Sequence, residues 1–413
     1  MKVLISAYSC EPGQGSERGV GWNVAKEAAK HHEVWVLTRP DESKEAIEAE
    51  LAANPVPNLH FIYFTLPFWK DSLSLGQSGA MQIHYYLWQI QAYFVAKRLH
   101  KEIDFDLIHH VTFVKYSSPS LLSVLPVPFI WGPVGGGESA PAKFWKDFSP
   151  RARLYELARD MIRTVGEKDP LVAHTIRNSA VVRATTDDTA RRLYKMGAKD
   201  VDVVSAIGLL EEEIDILKQH TLPPAEPLRF ISMGRLLHWK GFHLGIRAFA
   251  QAKLPNAELW LVGDGPEADA LKQLAADCGV AEQVKFWGRL SRDETLERLN
   301  ESHVLLHPSL HDSGGWVCIE AMASGRPVIC LDLGGPAVQI TKETGFKIAA
   351  KDPDQSVRDI AAVMQQLAQN PELCHQMGQA GRQLVDNTFS WTAVGQQLNT
   401  LYETTSKTIP VTA

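Results

Sequence analysis

Short hydrophobic runs alternate with longer amphipathic segments along most of this chain. In the first half, the runs predict buried strands at residues 3–7, 33–38, 60–64, 107–111, 129–131 and 181–184. In the second half, the alternation restarts with Leu228–Met233. Buried strands separated by segments of helical length are typical of a parallel sheet covered by helices, so the pattern predicts an α/β protein.

The same pattern divides the chain into two parts. At 413 residues the sequence exceeds what one hydrophobic core usually serves, so we expect two domains. The run 201–207 is predicted to be the last strand of the first domain, and a Pro-rich stretch at 221–227 follows it. We therefore predict an N-terminal domain over 1–207 and a C-terminal domain over 208–387, with a further helix from Trp391.

Composition and charge narrow the class of protein. With 45% hydrophobic and 22% charged residues, the chain has the composition of an ordinary globular protein. The net charge of −6 argues against a nucleic-acid binder, which needs a strongly basic surface. Five cysteines without paired spacing indicate free thiols in a reducing compartment. Since the first apolar run is too short for a signal peptide and no apolar stretch of about 18 residues occurs, we expect a cytoplasmic protein.

No metal motif emerges from the sequence. His307 and His311 have the i, i+4 spacing of helical zinc ligands. However, Pro308 lies between them and a glycine turn follows, which indicates a loop rather than a helix. We therefore predict that the protein uses no metal ion and no other cofactor.

Two cations follow the strand predicted at Leu228–Met233. Arg235 and Lys240 lie in the loop after it, at the edge where ligands bind to open parallel sheets. Arg offers a planar fork of donors and Lys a point charge, and together they suit a diphosphate. The alternative is a basic loop that is simply solvated.

A second loop places two carboxylates eight residues apart. The stretch that begins at His307 contains Asp312, the turn Gly314-Gly315 and then Glu320, which lies about two helical turns further on. Backbone N–H groups at such a helix start can face an anion or a sugar hydroxyl. Glu320 would suit the hydroxyls of a ribose, and Asp312 those of a transferred sugar. The alternative is an ordinary crossover in which Asp312 caps the helix and the glycines only turn the chain.

The first half carries candidate residues after two of its strands. Pro12–Trp22 is a glycine-rich loop between a strand and a helix, and Gly15 is its preferred ligand contact. Glu17 either contacts a ligand or favours the helix dipole. His109 and His110 are adjacent in a predicted strand, so they face opposite sides of the sheet, and we favour His110 as the functional one.

Two further features of the first half are a second glycine-rich loop and a pair of aromatic segments. Trp131–Glu138 follows another strand, and its Gly135 and Gly136 are predicted to line the wall of a ligand cleft. Two segments, 68–94 and 144–153, mix aromatic residues with cations, a combination that can seat a peripheral protein on anionic lipid. Aromatic residues at helical spacing are more often part of a core, and that alternative stays open.

Several of these motifs carry a resemblance to one enzyme family. The segment from His307 to Ile329 resembles the carboxylate-x7-carboxylate signature of the family 4 (group 1) retaining glycosyltransferases, which have the two-domain GT-B fold. Other motifs follow the family's order: Gly234-Arg235-Leu236, Lys240-Gly241, Leu261 to Pro266, Val284 to Gly288 and Gly325 to Ile329. Asp312 departs from the family pattern, because most members have Glu there.

The resemblance implies a fold and a set of contacts. It implies two Rossmann-like domains facing a cleft, with a C-terminal helix at about 388–413 that crosses back to the first domain. It implies donor contacts at Gly15, Gly234, Arg235, Lys240, Gly263, Gly265, Gly314, Gly315, Trp316 and Glu320. It also implies catalytic roles for Asp312, His110, Arg235 and Lys240, and acceptor contacts at Glu17, Gly135 and Gly136, without a divalent metal.

These features predict a retaining glycosyltransferase that moves a hexose from a nucleoside diphosphate sugar to a carbohydrate, lipid or small-molecule acceptor, in polysaccharide, glycolipid or glycoconjugate synthesis. We expect no nucleic-acid partner, and peripheral contact with the inner face of the membrane stays open. Two alternatives remain. A GT-B epimerase or phosphorylase would share the anion site, and a non-catalytic module would bind the sugar nucleotide without turnover.

Overall fold

A computed structural model describes residues 1–67, 69, 79–113 and 115–408. The chain folds into two compact units. The first contains Met1–Gly137, Met161–Gly208 and the described residues from Trp391 onward, and the second contains Glu138–Asp160 and Leu209–Ser390.

The segment Glu138–Asp160 belongs to the second unit, whereas the sequence pattern predicted it in the first domain. Its aromatic residues explain the difference. Phe144 and Phe148 are buried in the same hydrophobic core as Phe230 and Phe242 of the second unit. Burial of large apolar side chains is the dominant favourable contribution to folding, so these residues attach the segment to that core.

The first unit is built on seven parallel strands in the order β3-β2-β1-β4-β5-β6-β7. The strands are β1 (Lys2–Ala7), β2 (Glu33–Thr38), β3 (Leu59–Tyr63), β4 (Leu107–Thr112), β5 (Phe129–Val134), β6 (Val181–Ala184) and β7 (Asp202–Val203). The helices that contribute to this unit are α1 (Ser16–Ala29), α2 (Pro40–Ala53), α3 (Gly79–Ile103), α4 (Pro150–Glu167), α5 (Pro170–Asn178), α6 (Asp187–Lys195) and α15 (Trp391–Thr408). Helix α4 belongs to the second unit as far as Asp160.

The second unit repeats this arrangement with six parallel strands in the order β10-β9-β8-β11-β12-β13. The strands are β8 (Leu228–Met233), β9 (Ala257–Val262), β10 (Val284–Gly288), β11 (Val304–His307), β12 (Val328–Leu331) and β13 (Gly345–Ile348). The helices are α7 (Glu211–Lys218), α8 (Phe242–Ala252), α9 (Ala268–Asp277), α10 (Arg292–Asn300), α11 (Trp316–Ala323), α12 (Gly334–Gln339), α13 (Pro353–Gln369) and α14 (Pro371–Leu384).

Both sheets have the strand order of Rossmann-like domains, and the predicted α/β class is confirmed. One predicted strand is much shorter than expected. Of the run 201–207, only Asp202–Val203 pairs with the sheet, at its edge beside β6. Most residues of the run are only half-buried, so the apolar side chains there lack the two-sided burial that extends a central strand.

The last helix packs in the first unit, as the family resemblance implied. Tyr402 of α15 is fully buried, and its Oη lies 2.7 Å from Nδ1 of His109 on β4. This contact joins residues 293 positions apart in sequence. Residues 409–413 lie outside the described part of the chain.

Several of the aromatic residues proposed for lipid contact are part of the cores, whereas Phe94 is exposed. Tyr85 and Trp88 are buried in the first unit, and Phe144 and Phe148 in the second. Phe68 lies outside the described residues. Within 1–67, 69, 79–113 and 115–408, none of the helices combines the length and hydropathy that crossing a bilayer requires.

Candidate functional site

Two loops of the second unit meet where its strand order reverses. The β8 loop (234–241) and the β11 loop (308–315) follow strands that pair directly, Phe230 opposite Val304 and Ile231 opposite Leu305. In open parallel sheets, ligands bind outside the carboxyl ends of the strands at this switch point. The residues predicted to bind a diphosphate and a sugar therefore lie at the expected place in the fold.

The two loops pack closely through their backbones. The amide of Leu310 donates a hydrogen bond of 2.7 Å to the carbonyl of Trp239. Gly241 has a φ of +69°, and a Cβ atom there would come within 2.0 Å of the Pro308 carbonyl oxygen. Only glycine allows both this conformation and this approach.

Lys240 and Asp312 form an ion pair across these loops. Lys240 Nζ lies 2.5 Å from Asp312 Oδ2, and His307 Nε2 lies 3.2 Å from the same oxygen. The other oxygen, Oδ1, accepts hydrogen bonds of 3.2 Å from the amides of Gly314 and Gly315. These four contacts match the acceptor capacity of a carboxylate. Asp312 thus holds Lys240 and also fixes the turn before α11, although Gly315, and not Asp312, is the N-cap residue of the helix.

The surroundings of Asp312 keep it ionised. Burial favours the neutral acid, but the hydrogen bond from His307 and the charge of Lys240 outweigh this effect and hold the pKa of Asp312 well below its usual range. Burial and the neighbouring Lys240 charge also lower the pKa of His307, despite the opposing influence of Asp312. Asp312 is therefore an anion at neutral pH.

Arg235 differs from Lys240 in its environment. Its side chain is exposed at the start of the β8 loop. In the part of the chain that the structure describes, its guanidinium has no hydrogen-bond or ion-pair partner. Because the charges of Lys240 and Asp312 cancel, Arg235 supplies the uncancelled positive charge of this site, which suits an anionic ligand.

Glu320 lies in the second turn of α11 and is buried. Its Oε1 is 2.6 Å from Nη1 of Arg292, whose Nη2 is 3.1 Å from Oε1 of Glu213. Burial raises the pKa of Glu320, and the charge and hydrogen bond of Arg292 act in the opposite direction. The residue proposed to bind ribose hydroxyls is thus already paired with a cation on α10.

Two of the predicted donor glycines serve contacts between loops. A Cβ atom at Gly263 would lie 1.9 Å from the carbonyl oxygen of Gly234, and one at Gly265 would lie 2.5 Å from that of Leu236. These close approaches join the loop after β9 to the β8 loop. Gly314, in contrast, faces open space, since a Cβ atom there would meet no heavy atom of the described residues within 4 Å. Trp316, half-buried, begins α11.

In the first unit, the glycine-rich loop after β1 leads into α1. Gly15 is the residue before the helix and is exposed, with space around it for a Cβ atom. The close contacts lie instead at Gly19 and Gly21, where a Cβ would come within 2.0 and 2.3 Å of backbone carbonyl oxygens. Glu17 accepts a hydrogen bond from the backbone amide of Phe113, which follows β4. The carboxylate therefore ties the first turn of α1 to the segment that follows β4.

His109 and His110 point to opposite faces of the first sheet, as expected for neighbours in a strand. His110 is fully buried and its Nε2 lies 3.0 Å from Tyr85 Oη of α3. Burial, reinforced by His109, lowers the pKa of His110 to about 3, so the ring is neutral. Its Nδ1 is buried without a hydrogen-bond partner among the described residues.

Gly135 and Gly136 directly follow β5. The carbonyl of Gly135 accepts a hydrogen bond of 3.2 Å from the amide of Tyr116. Gly136 has a φ of +90°, a conformation that favours glycine. Their assignment to an acceptor stays a prediction.

A buried carboxylate beside the candidate site was not predicted from the sequence. Glu156 of α4 is fully buried and contacts His238 of the β8 loop and His311 of the β11 loop. Nothing in the local sequence singles out Glu156, because it is one of many charged residues in an amphipathic helix. Its partners are 82 and 155 positions away, so only the tertiary structure brings them together.

Residues 213–384 match the family model described as "Glycosyl transferases group 1". A segment of 210 residues is 28% identical to the lipopolysaccharide core biosynthesis glycosyltransferase LpsD of Rhizobium meliloti (strain 1021). This match covers 51% of the present chain and 59% of LpsD. The chain thus spans little more than half the length of this relative.

Solved structures resemble the whole chain. Sucrose-phosphate synthase from Thermosynechococcus elongatus aligns with a TM-score of 0.63 and 19% identity, over 98% of each chain. Anabaena HepE, in complex with UDP, aligns with a TM-score of 0.60 and 18% identity, over 98% of this chain and 100% of HepE. The chain therefore shares the two-domain GT-B fold of these structures, and residues 213–384 are similar to the group 1 glycosyltransferases.

Proposed function

We propose that this protein is a retaining glycosyltransferase that transfers a hexose from a nucleoside diphosphate sugar to an acceptor hydroxyl. The observation that carries the proposal is the Lys240–Asp312 pair beside Arg235, at the switch point of the second sheet. An ammonium oriented by one carboxylate keeps other N–H donors for phosphate oxygens. The sequence match over 213–384 supports the same assignment.

The leaving group defines what the site must stabilise. When the bond between sugar and phosphate breaks, negative charge develops on the diphosphate, and cations fixed beforehand stabilise it without reorganisation. Lys240 is fixed by Asp312, and Arg235 is exposed to meet the ligand. We propose that Glu320 and Arg292 receive the ribose and that Gly314, open to solvent on one side, lies nearest the sugar.

We propose that the reaction requires no divalent metal. Lys240, Arg235 and the backbone amides in the first turn of α11 supply the positive charge that a metal ion would otherwise bring. A phosphate oxygen of the donor is proposed to assist deprotonation of the acceptor hydroxyl, which accounts for retention without a protein nucleophile.

The relatives guide the choice of substrates to test. HepE is described in complex with UDP, and LpsD is named for lipopolysaccharide core biosynthesis. We propose a nucleoside diphosphate hexose as donor and a carbohydrate or lipid-linked carbohydrate as acceptor. An epimerase, a phosphorylase or a non-catalytic module is not favoured, because the matching family and LpsD are named as glycosyltransferases.

A thermal-shift panel with UDP-, GDP- and ADP-sugars tests the proposal. A ligand that binds only the folded state stabilises it and so raises the melting temperature. At a ligand concentration a hundred times Kd, the free energy of unfolding increases by about 2.7 kcal/mol. We expect one base to stabilise the protein clearly more than the other two. Release of free nucleotide should then require an added acceptor. Release without acceptor, or no stabilisation by any member of the panel, would contradict a transferase.

Glu320→Gln should weaken donor binding while the fold survives. The amide keeps the shape and one acceptor but loses the charge, and hydrogen bonds to charged groups contribute about 1.5–3 kcal/mol. Arg292 keeps Glu213 as a partner and is half exposed, so it is not left as a buried unpaired charge. Calorimetric titration should show an affinity for the nucleotide lowered about tenfold or more. A lower melting temperature with unchanged affinity would instead assign Glu320 to structure alone.

A further inference from the structure

The inserted segment Glu138–Asp160 contacts both loops of the candidate site. Four of its side chains, Glu138, Tyr155, Glu156 and Arg159, make these contacts or support them, and we call this set the clamp. Ser313 Oγ in the β11 loop donates a hydrogen bond of 2.6 Å to Oε2 of Glu138. Arg159 Nη1 donates one of 2.8 Å to the carbonyl of Glu138 and lies 3.6 Å from Oε2 of Glu156.

Glu156 is the member of the clamp that joins the two loops. Its Oε1 accepts hydrogen bonds from Nε2 of His238, at 2.9 Å, and from Nε2 of His311, at 3.1 Å. Burial favours its neutral form, but the hydrogen bonds from both histidines, with the charges of His311 and Arg159, lower the pKa of Glu156 to about 2. The carboxylate is therefore ionised and can only accept hydrogen bonds.

Each histidine is close in sequence to a residue of the ion pair. His238 precedes Lys240 by two positions, and His311 directly precedes Asp312. Trp239 directly follows His238 in sequence, and its ring stacks on the ring of His311 with centroids 5.1 Å apart.

Tyr155 of the clamp stacks on the same indole, with centroids 5.2 Å apart and an interplanar angle of 8°. Trp239 is thereby held by ring contacts with Tyr155 and His311. Through these contacts, the β8 loop is attached both to α4 and to the β11 loop. Ring contacts and a shared carboxylate restrict the same short stretch of backbone.

We propose that Glu156 is a positioning residue of the donor site: by binding one histidine from each loop, it keeps Lys240 against Asp312 and directs the ammonium toward a bound diphosphate. This inference rests on the proposed function. A lysine side chain has four flexible carbons and loses much entropy when it is fixed, so its direction depends on what holds the backbone at each end of the pair.

Glu156→Gln tests the inference because it keeps shape and one acceptor oxygen but removes the charge. Two histidine donors on a neutral amide oxygen form weaker hydrogen bonds than on a carboxylate. In the absence of any ligand, we expect amide hydrogen exchange in residues 235–241 of the β8 loop and residues 308–315 of the β11 loop to be faster than in the parent protein. With UDP, GDP and ADP tested in parallel by calorimetry, the affinity for the preferred nucleotide should fall about threefold to tenfold.

A second measurement separates positioning from general support of the fold. If Glu156 acts through Lys240, adding Glu156→Gln to Lys240→Ala should weaken nucleotide binding little further. Full additivity of the two losses would overturn the proposal, as would unchanged exchange in the two loops. The latter result does not depend on any nucleotide. In contrast, a parent protein that binds none of the three nucleotides contradicts the proposed function itself.

Two further variants provide a matched control and a second way to test the role of Glu156. Lys146→Ala removes the exposed Lys146–Asp354 pair of 2.7 Å, which anchors the same inserted segment away from the loops, and it should change neither exchange nor affinity. If Glu156→Gln does not fold, His311→Phe keeps a ring to stack on Trp239 and removes one hydrogen bond to Glu156. It should reproduce both effects, and normal affinity with normal loop exchange in this variant would overturn the proposal.

Discussion

Replacing Lys240 by Ala is expected to reduce kcat/KM by about a hundredfold or more, since a charge-assisted contact contributes about 1.5–3 kcal/mol and each 1.36 kcal/mol corresponds to a tenfold change in rate. The loss has a second cause in this protein. Asp312 has Lys240 as its cation, 2.5 Å away. Without Lys240, the anionic Asp312 would face the diphosphate and repel it. Steady-state kinetics with the donor identified in the panel would measure the effect.

Arg235→Ala is the matched control for this prediction. Arg235 is exposed and lies in the same loop, so its removal should lower activity by about tenfold through the lost contact alone. Its melting temperature should equal that of the parent protein. Lys240→Ala should melt lower, because it leaves a largely buried carboxylate without its cation. Kinetics unchanged in both variants would exclude the β8 loop as the phosphate site.

The double variant Lys240→Ala with Asp312→Asn isolates the repulsion. It removes both members of the pair, so no uncancelled anion remains beside the diphosphate. We expect it to bind free nucleoside diphosphate more tightly than Lys240→Ala does, although it lacks the same cation. Equal affinities would mean that Asp312 does not approach the diphosphate in the bound state.

The positions of the two loops were predictable from the sequence. An apolar run such as Leu228–Met233 can be satisfied only in the interior of a sheet, and the polar loop after it must then emerge at the carboxyl edge. Arg235 and Lys240 were therefore placed by the strand pattern, whereas Asp312 was placed only by the Gly-Gly turn and the helix that follows it. The pairing of Lys240 with Asp312 was not predicted, because it requires β8 and β11 to be neighbours although β9 and β10 lie between them in sequence.

The contacts of the Asp312 carboxylate could not be predicted from the sequence. From the sequence it was expected to bind the hydroxyls of the transferred sugar, and the structure surrounds it with four donors from the protein itself. The local sequence around Asp312 is compatible both with a carboxylate that binds sugar hydroxyls and with one that binds Lys240 and the backbone amides of the turn. The choice depends on the distance between the two loops, which Gly241, Pro308 and Trp239 set through backbone contacts.

Tertiary contacts place the inserted segment Glu138–Asp160 in a different unit from the one that the sequence pattern predicted. Residues 138–160 follow a strand of the first sheet, so chain order suggests the first domain. Their attachment to the second depends on Phe144 and Phe148 finding space in a core built from residues about a hundred positions later. The same attachment brings Glu156 to His311, and an ion-paired carboxylate on an otherwise ordinary amphipathic helix has no local signature.

Asp312→Asn is expected to lower turnover by about a hundredfold while free nucleoside diphosphate binds at least as well as to the parent, since the site loses a negative charge that repels the ligand. Asn keeps an oxygen for the amides of Gly314 and Gly315, but it no longer holds the ammonium of Lys240 by charge. The cation would then be present but poorly directed at the leaving group. Calorimetry with the nucleotide, beside kinetics with the nucleotide sugar, measures the two effects. Equal losses in both would assign Asp312 to the backbone turn alone.

The stability of this variant should depend on pH in a defined direction. The pKa of Asp312 in the folded protein lies below its unfolded value of about 3.9. Its charge therefore stabilises the fold fully above that pH, and this contribution disappears as the pH falls toward the folded-state pKa. We expect the parent protein to melt above Asp312→Asn near neutral pH and the difference to shrink below about pH 4. A difference that stays constant with pH would show that the hydrogen bonds of Asp312, rather than its charge beside Lys240, account for its contribution to stability.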